Sequence, residues 1–245
     1  MYRLPVRTTL VQVRQPNGAD DVFLNEAQSL DRMLALQWMR RLVPSPAPAE
    51  LVVHDFEALL LHLRRVQFGD RVQADAQCHC GERVDIEFRL SAYLAGRVPR
   101  RPPWVTESKE AGWFGLVESD VKFRLPTITD QLEVAHAGDP ETALAERCLR
   151  PAKSNPEIES AMEALAPPLS DDVIGECPNC QQTVTLHFDV PSFVLHEHRV
   201  QASSIYEDVH LLARHYHWSE DQILALPARR RQAYVERLRA EQVYN

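Results

Sequence analysis

Glycine is scarce in this chain, with 8 residues among 245. So few glycines argue against a phosphate-binding loop, and no P-loop, dinucleotide-binding, HExxH or GxSxG motif occurs in the sequence. No apolar run reaches the roughly 20 residues that a membrane-spanning helix needs, so membrane insertion is not expected. Residues 1–15 also lack a continuous apolar stretch, which argues against a secretory signal.

Basic residues are also in deficit, since 27 Lys and Arg face 35 Asp and Glu, for a net charge of -8. A mildly acidic chain is a poor candidate for general nucleic-acid binding. The apolar share of 44% and the charged share of 25% are ordinary for a folded domain. We therefore expect a soluble protein of the cytosol, or of a particle assembled there.

Four of the five cysteines form two tight pairs that are far apart in the chain. In a reducing compartment such pairs bind metal more often than they form disulfides. Zinc favours four tetrahedral ligands, and a structural zinc site has no open position. His79 is an alternative ligand, because the Cys-x-Cys spacing is tighter than the usual knuckle. The predicted ligands of one structural Zn²⁺ are Cys78, Cys80, Cys177 and Cys180.

Three other interpretations of the cysteines have to be weighed. Four buried free thiols are one, and a redox CxxC is another, although that motif normally belongs to a βαβ pattern and here an alternating strand follows. A zinc hydrolase or nucleotide deaminase needs an open position and a base such as His-x-Glu, which an all-cysteine site lacks. We therefore predict no catalytic residues, no enzyme activity and no small-molecule substrate. The ten histidines are interpreted as surface or packing residues, and Cys148 as a small buried apolar residue.

Hydrophobic periodicity predicts an α+β fold with a weak internal repeat. Each cysteine pair precedes an alternating strand, at 84–90 and at 184–190, with apolar residues at its first, third, fifth and seventh positions. Two zinc-knuckle and β-strand units would then share one site, with a helical insertion at about 127–168. Further predictions are strands at 1–14 and 121–125, a loop at 97–110, and helices at 25–43, 49–66, 129–134, 141–149 and 156–165.

Three regions are predicted: an N-terminal strand with helices (1–75), a zinc-stapled β core (76–200) and a C-terminal helical module (201–245). In the module, Ser219 and Gln222 form a predicted capping box, and Pro227 precedes the last helix. Asp171-Asp172 and Glu207-Asp208 are interpreted as solvated turns or helix-start acids. Arg229–Arg231 is interpreted as a solvated or partner-facing basic face.

Aromatic residues and arginine dominate the hot spots of protein interfaces, and the C-terminal module contains several of both. Tyr216 and Trp218 have an alternative role, which is simply to pack the helical corner. The predicted partner interface consists of Tyr206, Tyr216, Trp218, Arg230 and Tyr234.

Several stretches resemble one protein family. They are Cys177–Cys180, Phe188–Phe193, Tyr206–Ala213, His217–Ser219, Ile223–Pro227 and Arg230–Tyr234, with Arg124–Thr127 followed by Asp130, and Ala145–Cys148, in the middle of the chain. Together they resemble the baseplate hub assembly proteins of contractile-tailed phages, which also occur in phage-like contractile injection systems. The resemblance covers about residues 120–240 and leaves the first 75 residues unmatched.

The resemblance implies a structural or assembly component of a contractile tail or injection-system baseplate. Other baseplate, hub or spike subunits would be its partners. It would be made in the cytoplasm of the bacterial host and located in the virion or phage-like particle. The alternative function is that of a zinc-ribbon nucleic-acid-binding or transcription-associated protein, for which salt-dependent DNA binding would be the sign.

Overall fold

The computed structural model describes residues 1–117, 119–152 and 154–243, and it confirms the α+β fold. The chain forms two compact units, each made from two separate stretches. Unit 1 contains Met1–Val11 and Pro46–Val190, and unit 2 contains Gln12–Ser45 and Pro191–Asn245. The three-region division at residues 75 and 200 stays a prediction, because compactness does not test which stretches fold independently.

All strand pairs in the described residues are antiparallel, in three two-stranded sheets and one four-stranded sheet of order β5-β6-β7-β8. The two-stranded sheets are β1-β2, β3-β4 and β9-β10. The strands are β1 Tyr2–Arg3, β2 Leu10–Val11, β3 Arg71–Gln77, β4 Arg83–Arg89, β5 Val105–Glu107, β6 Trp113–Leu116, β7 Lys122–Arg124, β8 Leu149–Arg150, β9 Asp171–Glu176 and β10 Thr183–Phe188.

The helices are α1 Gly18–Asn25, α2 Arg32–Leu42, α3 Val53–Phe68, α4 Leu90–Ala95, α5 Ile128–Val134, α6 Pro140–Cys148, α7 Pro156–Leu165, α8 Val190–Ala202, α9 Ile205–Tyr216, α10 Glu220–Leu224 and α11 Ala228–Val243. A short 3-10 helix spans Pro48–Glu50. Within the described part of the chain, no helix combines the length and the apolar character that crossing a membrane requires.

One apolar cluster of unit 1 joins the four-stranded sheet to α7. The helix begins at Asn155, whose side chain accepts a hydrogen bond from the Ile158 N–H at 2.9 Å, and Pro156 occupies its first position. Burying each large aliphatic side chain contributes about 1.5–3 kcal/mol relative to exposure. The buried members are Val52, Val105, Leu116, Phe123, Leu125, Leu149, Ile158, Ala161 and Leu165.

Helix α5 begins with a capping box that is held by two arginines. Thr127 is the N-cap, and the Asp130 carboxylate accepts bonds from its backbone N–H and hydroxyl, both at 2.8 Å. Arg124 donates to both oxygens of Asp130, at 2.6 and 2.8 Å, and Arg147 donates at 2.8 Å. A β-bridge between Thr127 and Val52 ties this helix start to the start of α3.

The same arrangement recurs in unit 2 at the start of α1. Asn17 is the N-cap, Asp20 closes the capping box, and Arg14 donates to both Asp20 oxygens at 2.8 and 2.9 Å. Arg41 supplies the second guanidinium, at 2.9 Å, and Asn17 forms a β-bridge with Pro227 at the start of α11. Both sites follow the sequence pattern Arg-x-Pro-(Asn or Thr)-x-x-Asp.

Unit 2 is helical and contains a buried ion triplet. Arg231 is 1% exposed and donates to Asp21 at 2.5 Å and to Asp208 at 3.1 Å. Gly18 makes the close packing around it possible, since a Cβ there would lie 2.8 Å from the Leu224 Cα. The interpretation of Arg231 as solvated or partner-facing is therefore wrong. Asp208 is a helix-start acid in the first turn of α9, as predicted, although it is buried. Arg229 and Arg230 are exposed.

Several local predictions also need correction. The helix predicted at 25–43 starts only at Arg32, after its N-cap Asp31, and a separate helix, α1, ends at Asn25. The alternating strands end at Arg89 and Phe188, because α4 and α8 begin at once. The Asp171-Asp172 pair lies in strand β9, not in a turn. Helix α7 was predicted correctly, and so was the capping box of Ser219 and Gln222.

Candidate metal centre

Two β-hairpins of unit 1 carry the paired cysteines. The β3-β4 ladder runs from Arg71 opposite Arg89 to Gln77 opposite Arg83, and residues 78–82 connect its strands. The β9-β10 ladder runs from Asp171 opposite Phe188 to Glu176 opposite Thr183, and residues 177–182 connect them. Strand alternation turns the apolar residues of both hairpins to one side. The cysteines therefore lie at the tips of two hairpins whose inner faces form a shared apolar cluster.

The first tip is closed by backbone hydrogen bonds around Cys78. Its N–H donates to the Glu82 carbonyl at 2.8 Å, and its carbonyl accepts from the Gly81 N–H at 2.9 Å. Gly81 has φ +89°, which a residue with a Cβ adopts only with strain. The glycine after Cys80 therefore allows a turn tight enough to present two sulfurs in one direction.

The second tip repeats this closure around Cys177. Its N–H donates to the Gln182 carbonyl at 2.9 Å, and its carbonyl accepts from the Gln181 N–H at 2.9 Å. Gln181 takes φ +59°, so a left-handed residue stands at the position that Gly81 holds in the first tip. The internal repeat seen in the sequence thus includes the turn geometry as well as the strands.

The four cysteine sulfurs come together in one cluster. Sγ of Cys78 lies 3.5 Å from Sγ of Cys180, and Sγ of Cys80 lies 3.7 Å from Sγ of Cys177. All four lie within 4.8 Å of one another, and none is in a disulfide. Four sulfurs at the usual Zn–S distance of about 2.3 Å in a tetrahedron stand about 3.8 Å apart. The donor set and its spacing therefore fit a single four-coordinate metal ion.

Burial and hydrogen bonding divide the cluster into an inner and an outer pair. Cys78 and Cys177 are 4% and 0% exposed, whereas Cys80 and Cys180 are exposed. A hydrogen bond from the Glu82 backbone N–H, with help from the neighbouring thiols, lowers the pKa of Cys80 to about 7. The Gln182 N–H acts in the same direction on Cys180, but its sulfur neighbours outweigh it and raise that pKa to about 12. Without a cation the Cys80 and Cys180 thiols therefore do not ionise together.

The arrangement can hold an ion but offers no means of activating water. Four sulfur ligands leave a tetrahedral ion no open position, and His79 is exposed and outside the sulfur cluster. Among the described residues, no other group of three or more His, Cys, Asp and Glu side chains is placed to bind a metal. A metal here would link the hairpins without doing chemistry.

An aromatic triad joins the same hairpins at the end away from the sulfurs. The ring centroids of Phe88, Tyr93 and Phe188 lie 5.3–5.5 Å apart, and both contacts of Phe188 are edge to face. The Tyr93 hydroxyl donates to the Leu169 carbonyl at 2.9 Å, and burial raises the pKa of Tyr93 to about 12. The sequence places Phe88 and Phe188 at apolar positions of the two alternating runs, but it does not predict their contact with Tyr93.

The aromatic residues of the predicted partner interface do not lie in one environment. Tyr216, Trp218 and Tyr234 are half-buried, with centroids 4.9–5.7 Å apart, and pack against the apolar cluster of α9, α10 and α11. Tyr206 is 48% exposed, its hydroxyl bonded to Glu26 at 2.6 Å, and Arg230 is exposed. The first three thus have a packing role, and an interface that includes them stays a prediction.

Comparison with known families identifies the chain. Residues 23–161, more than half of it, match the family model described as T4 bacteriophage base plate protein. The chain belongs to this family. The match runs from the end of α1 into α7, so it includes most of the first 75 residues, for which the sequence analysis found no resemblance. It ends before the second cysteine pair.

As a baseplate family member, the chain has a structural role in a phage tail, and its location is the phage particle. The family is generally non-enzymatic, and its members assemble with other tail subunits. No match was found among curated proteins or among solved structures.

Proposed function

We propose that this baseplate protein is a non-enzymatic hub component of a contractile tail or a related injection system, and that one structural zinc ion staples it. The observation that supports a zinc site is the convergence of four sulfurs from two hairpins that lie about a hundred residues apart in the sequence. Cys78, Cys80, Cys177 and Cys180 would hold the ion. The chain would be made in the cytoplasm of the bacterial host and built into the baseplate of the virion or phage-like particle.

Zinc is the metal that this site suits best, because soft thiolate ligands in a closed tetrahedral set favour it. A two-stranded hairpin is marginally stable by itself, and the cluster between these two contains few large side chains. Binding at a structural zinc site contributes about 10–16 kcal/mol in small zinc domains. The ion would therefore provide much of the cohesion between the two hairpins.

An assembly role agrees with the charges around the hairpins. The outward face of the first hairpin carries both signs, with Arg71 paired to Glu87 and Arg83 paired to Asp75. A nucleic-acid-binding zinc ribbon would present a basic face to the phosphates. These pairs, with the net charge of -8, favour protein partners such as other hub or spike subunits.

Two experiments test this proposal, one on the metal content of the purified chain and one on the phage particles. Metal analysis of the purified chain should find about one zinc per chain, and a metal-free but fully folded protein would refute the staple. Deletion of the gene should leave tails without complete baseplates, and wild-type protein supplied in trans should restore them. Normal contractile particles from the deletion strain would rule out the assembly role.

A further inference from the structure

An exposed tryptophan marks one side of helix α7. Trp104 and Val117 are 49% and 51% exposed, and the Val117 N–H donates to the Trp104 carbonyl at 2.9 Å, so the two side chains are neighbours. With Pro156, Glu157 and Ser160 of α7 they line a groove of about 410 Å³. Large exposed apolar side chains in a shared groove are typical of contact surfaces.

A second groove lies on the other side of α7, towards α6. It has a volume of about 450 Å³, with Leu144, Cys148 and Met162 among its apolar residues and with Glu141 and Glu159 also lining it. Helix α7 is therefore a ridge between two apolar grooves. We call this surface the α7 ridge, defined by Trp104, Val117, Leu144, Glu157, Glu159 and Ser160.

The charge of the α7 ridge has one sign. Three glutamates line the two grooves, and none of the described lining residues is basic. Two arginines close to this sheet are already paired: Arg150 with Glu110 at 2.9 Å, lying over the Trp113 ring, and Arg101 with Glu107. A partner that covers this surface must bring apolar side chains for the grooves and positive charge for the acids.

We propose that the α7 ridge docks another tail subunit, through a segment that carries apolar side chains next to Lys or Arg. The inference rests on the proposed assembly role and names the surface that performs it. A second copy of the chain fits less well, because it would bring another net charge of -8 to an acidic surface. This surface differs from the C-terminal aromatic residues, three of which pack within their own unit.

The contact can be mapped with a photo-crosslinking amino acid at Ser160, which is exposed on the ridge. The full-length variant would replace the wild-type chain during assembly, and purified particles would be irradiated. The expected product joins the chain to a peptide of another tail subunit that contains apolar and basic residues. A crosslink between two copies, or no crosslink although the chain is in the particle, would overturn the proposal.

Charge reversal tests the same surface by incorporation. We expect Glu157→Lys with Glu159→Lys, and separately Trp104→Ala, to reduce incorporation into particles at least tenfold. Glu236→Lys, an exposed glutamate of α11, is the matched control and should incorporate normally. Each purified variant should unfold at the wild-type temperature, and a second ridge variant, Val117→Ser, replaces any that does not. Full incorporation of the folded ridge variants refutes the docking site, whereas normal tails without the gene refute the assembly role itself.

Discussion

The rings of Phe88 and Phe188 meet edge to face, with their centroids 5.4 Å apart. Each is the fifth residue of its alternating run, counted from Val84 in β4 and from Val184 in β10. The internal repeat is therefore a physical contact, since equivalent positions of the two hairpins pack on each other. The two short sulfur contacts are related by the same repeat. Cys78 is equivalent to Cys177 and Cys80 to Cys180, so exchanging the hairpins turns the contact Cys78–Cys180 into the contact Cys177–Cys80.

Removing one sulfur should release the metal. We expect Cys177→Ser to lose the zinc and to unfold at a lower temperature than the wild type, because its sulfur is fully buried among the other three. Metal analysis and thermal unfolding measure both effects. Cys148→Ala is the control, since that thiol lies outside the cluster, and it should keep a full zinc content. Zinc retained at one per chain in Cys177→Ser would contradict the predicted ligand set.

The Asp130 carboxylate should make stability depend on acid pH. Burial alone would raise its pKa, but hydrogen bonds from Arg124, Thr127 and Arg147 outweigh burial and hold the pKa well below its ordinary value of 3.8. A carboxyl whose pKa is lower in the folded than in the unfolded protein stabilises the fold at any pH above the unfolded-state pKa. That stabilisation is lost progressively as the pH falls from the unfolded-state pKa towards the folded-state pKa. Asp130→Asn should therefore cost about 2–3 kcal/mol at pH 7.

The measurement is denaturant unfolding of wild type and variant at several pH values. The difference between them should shrink as the pH falls below about 4, because wild-type Asp130 is then losing its advantage. Asp139→Asn, at an exposed N-cap, should have a smaller effect. A difference for Asp130→Asn that stays constant from pH 7 to pH 3 would mean that the carboxylate charge is not the cause.

Replacing the buried Arg231 of unit 2 should destabilise the protein far more than replacing its exposed neighbour Arg230. Arg231→Ala leaves the Asp21 and Asp208 carboxylates buried without their cation, which costs about 3–5 kcal/mol in comparable buried pairs. Arg230→Ala removes an exposed charge one residue away and should change the free energy of unfolding by less than about 0.5 kcal/mol. Urea denaturation compares the two, and equal losses would disprove the buried triplet.

Alanine substitutions of Trp218 and Tyr206 should distinguish an aromatic residue that packs within the fold from one at the surface. Trp218 stacks on Tyr216 at 4.9 Å and meets Tyr234 edge to face at 5.1 Å, so Trp218→Ala should destabilise unit 2 by about 2–4 kcal/mol. Tyr206→Ala removes a side chain that is 48% exposed and should have little effect on unfolding. If Trp218→Ala unfolds like the wild type, its role is at an interface rather than in the fold.

The sequence predicts the cysteine cluster because a pair of cysteines on a short spacer has few chemical uses, and because alternation identifies the strand after each pair. It does not predict the strand before each pair. Strand β3 offers Val72 with two alanines, and β9 begins with two aspartates and contains Gly175. These segments are strands because β4 and β10 supply hydrogen-bonding partners, which local patterns do not reveal.

Other differences have equally specific causes. Val190 continues the apolar alternation, which predicts a strand up to that residue, but Pro191 has no N–H for a ladder and suits the first turn of a helix. Arg231 lies in a run of three arginines, and its partners Asp21 and Asp208, 210 and 23 positions away, distinguish it from its exposed neighbours. The repeated Arg-x-Pro-(Asn or Thr)-x-x-Asp pattern was readable, but its residues are polar and escape a search for hydrophobic periods.

The separation of the two cysteine pairs sets an order of events during synthesis. Cys80 and Cys177 are 97 positions apart, which a ribosome adding about 5–20 residues per second covers in about 5–20 seconds. For that interval the emerging first hairpin has two sulfurs and no partners for them. A four-sulfur site can therefore be completed only after Cys180 has been synthesised, and the proposed zinc ion would join the two hairpins at that late stage.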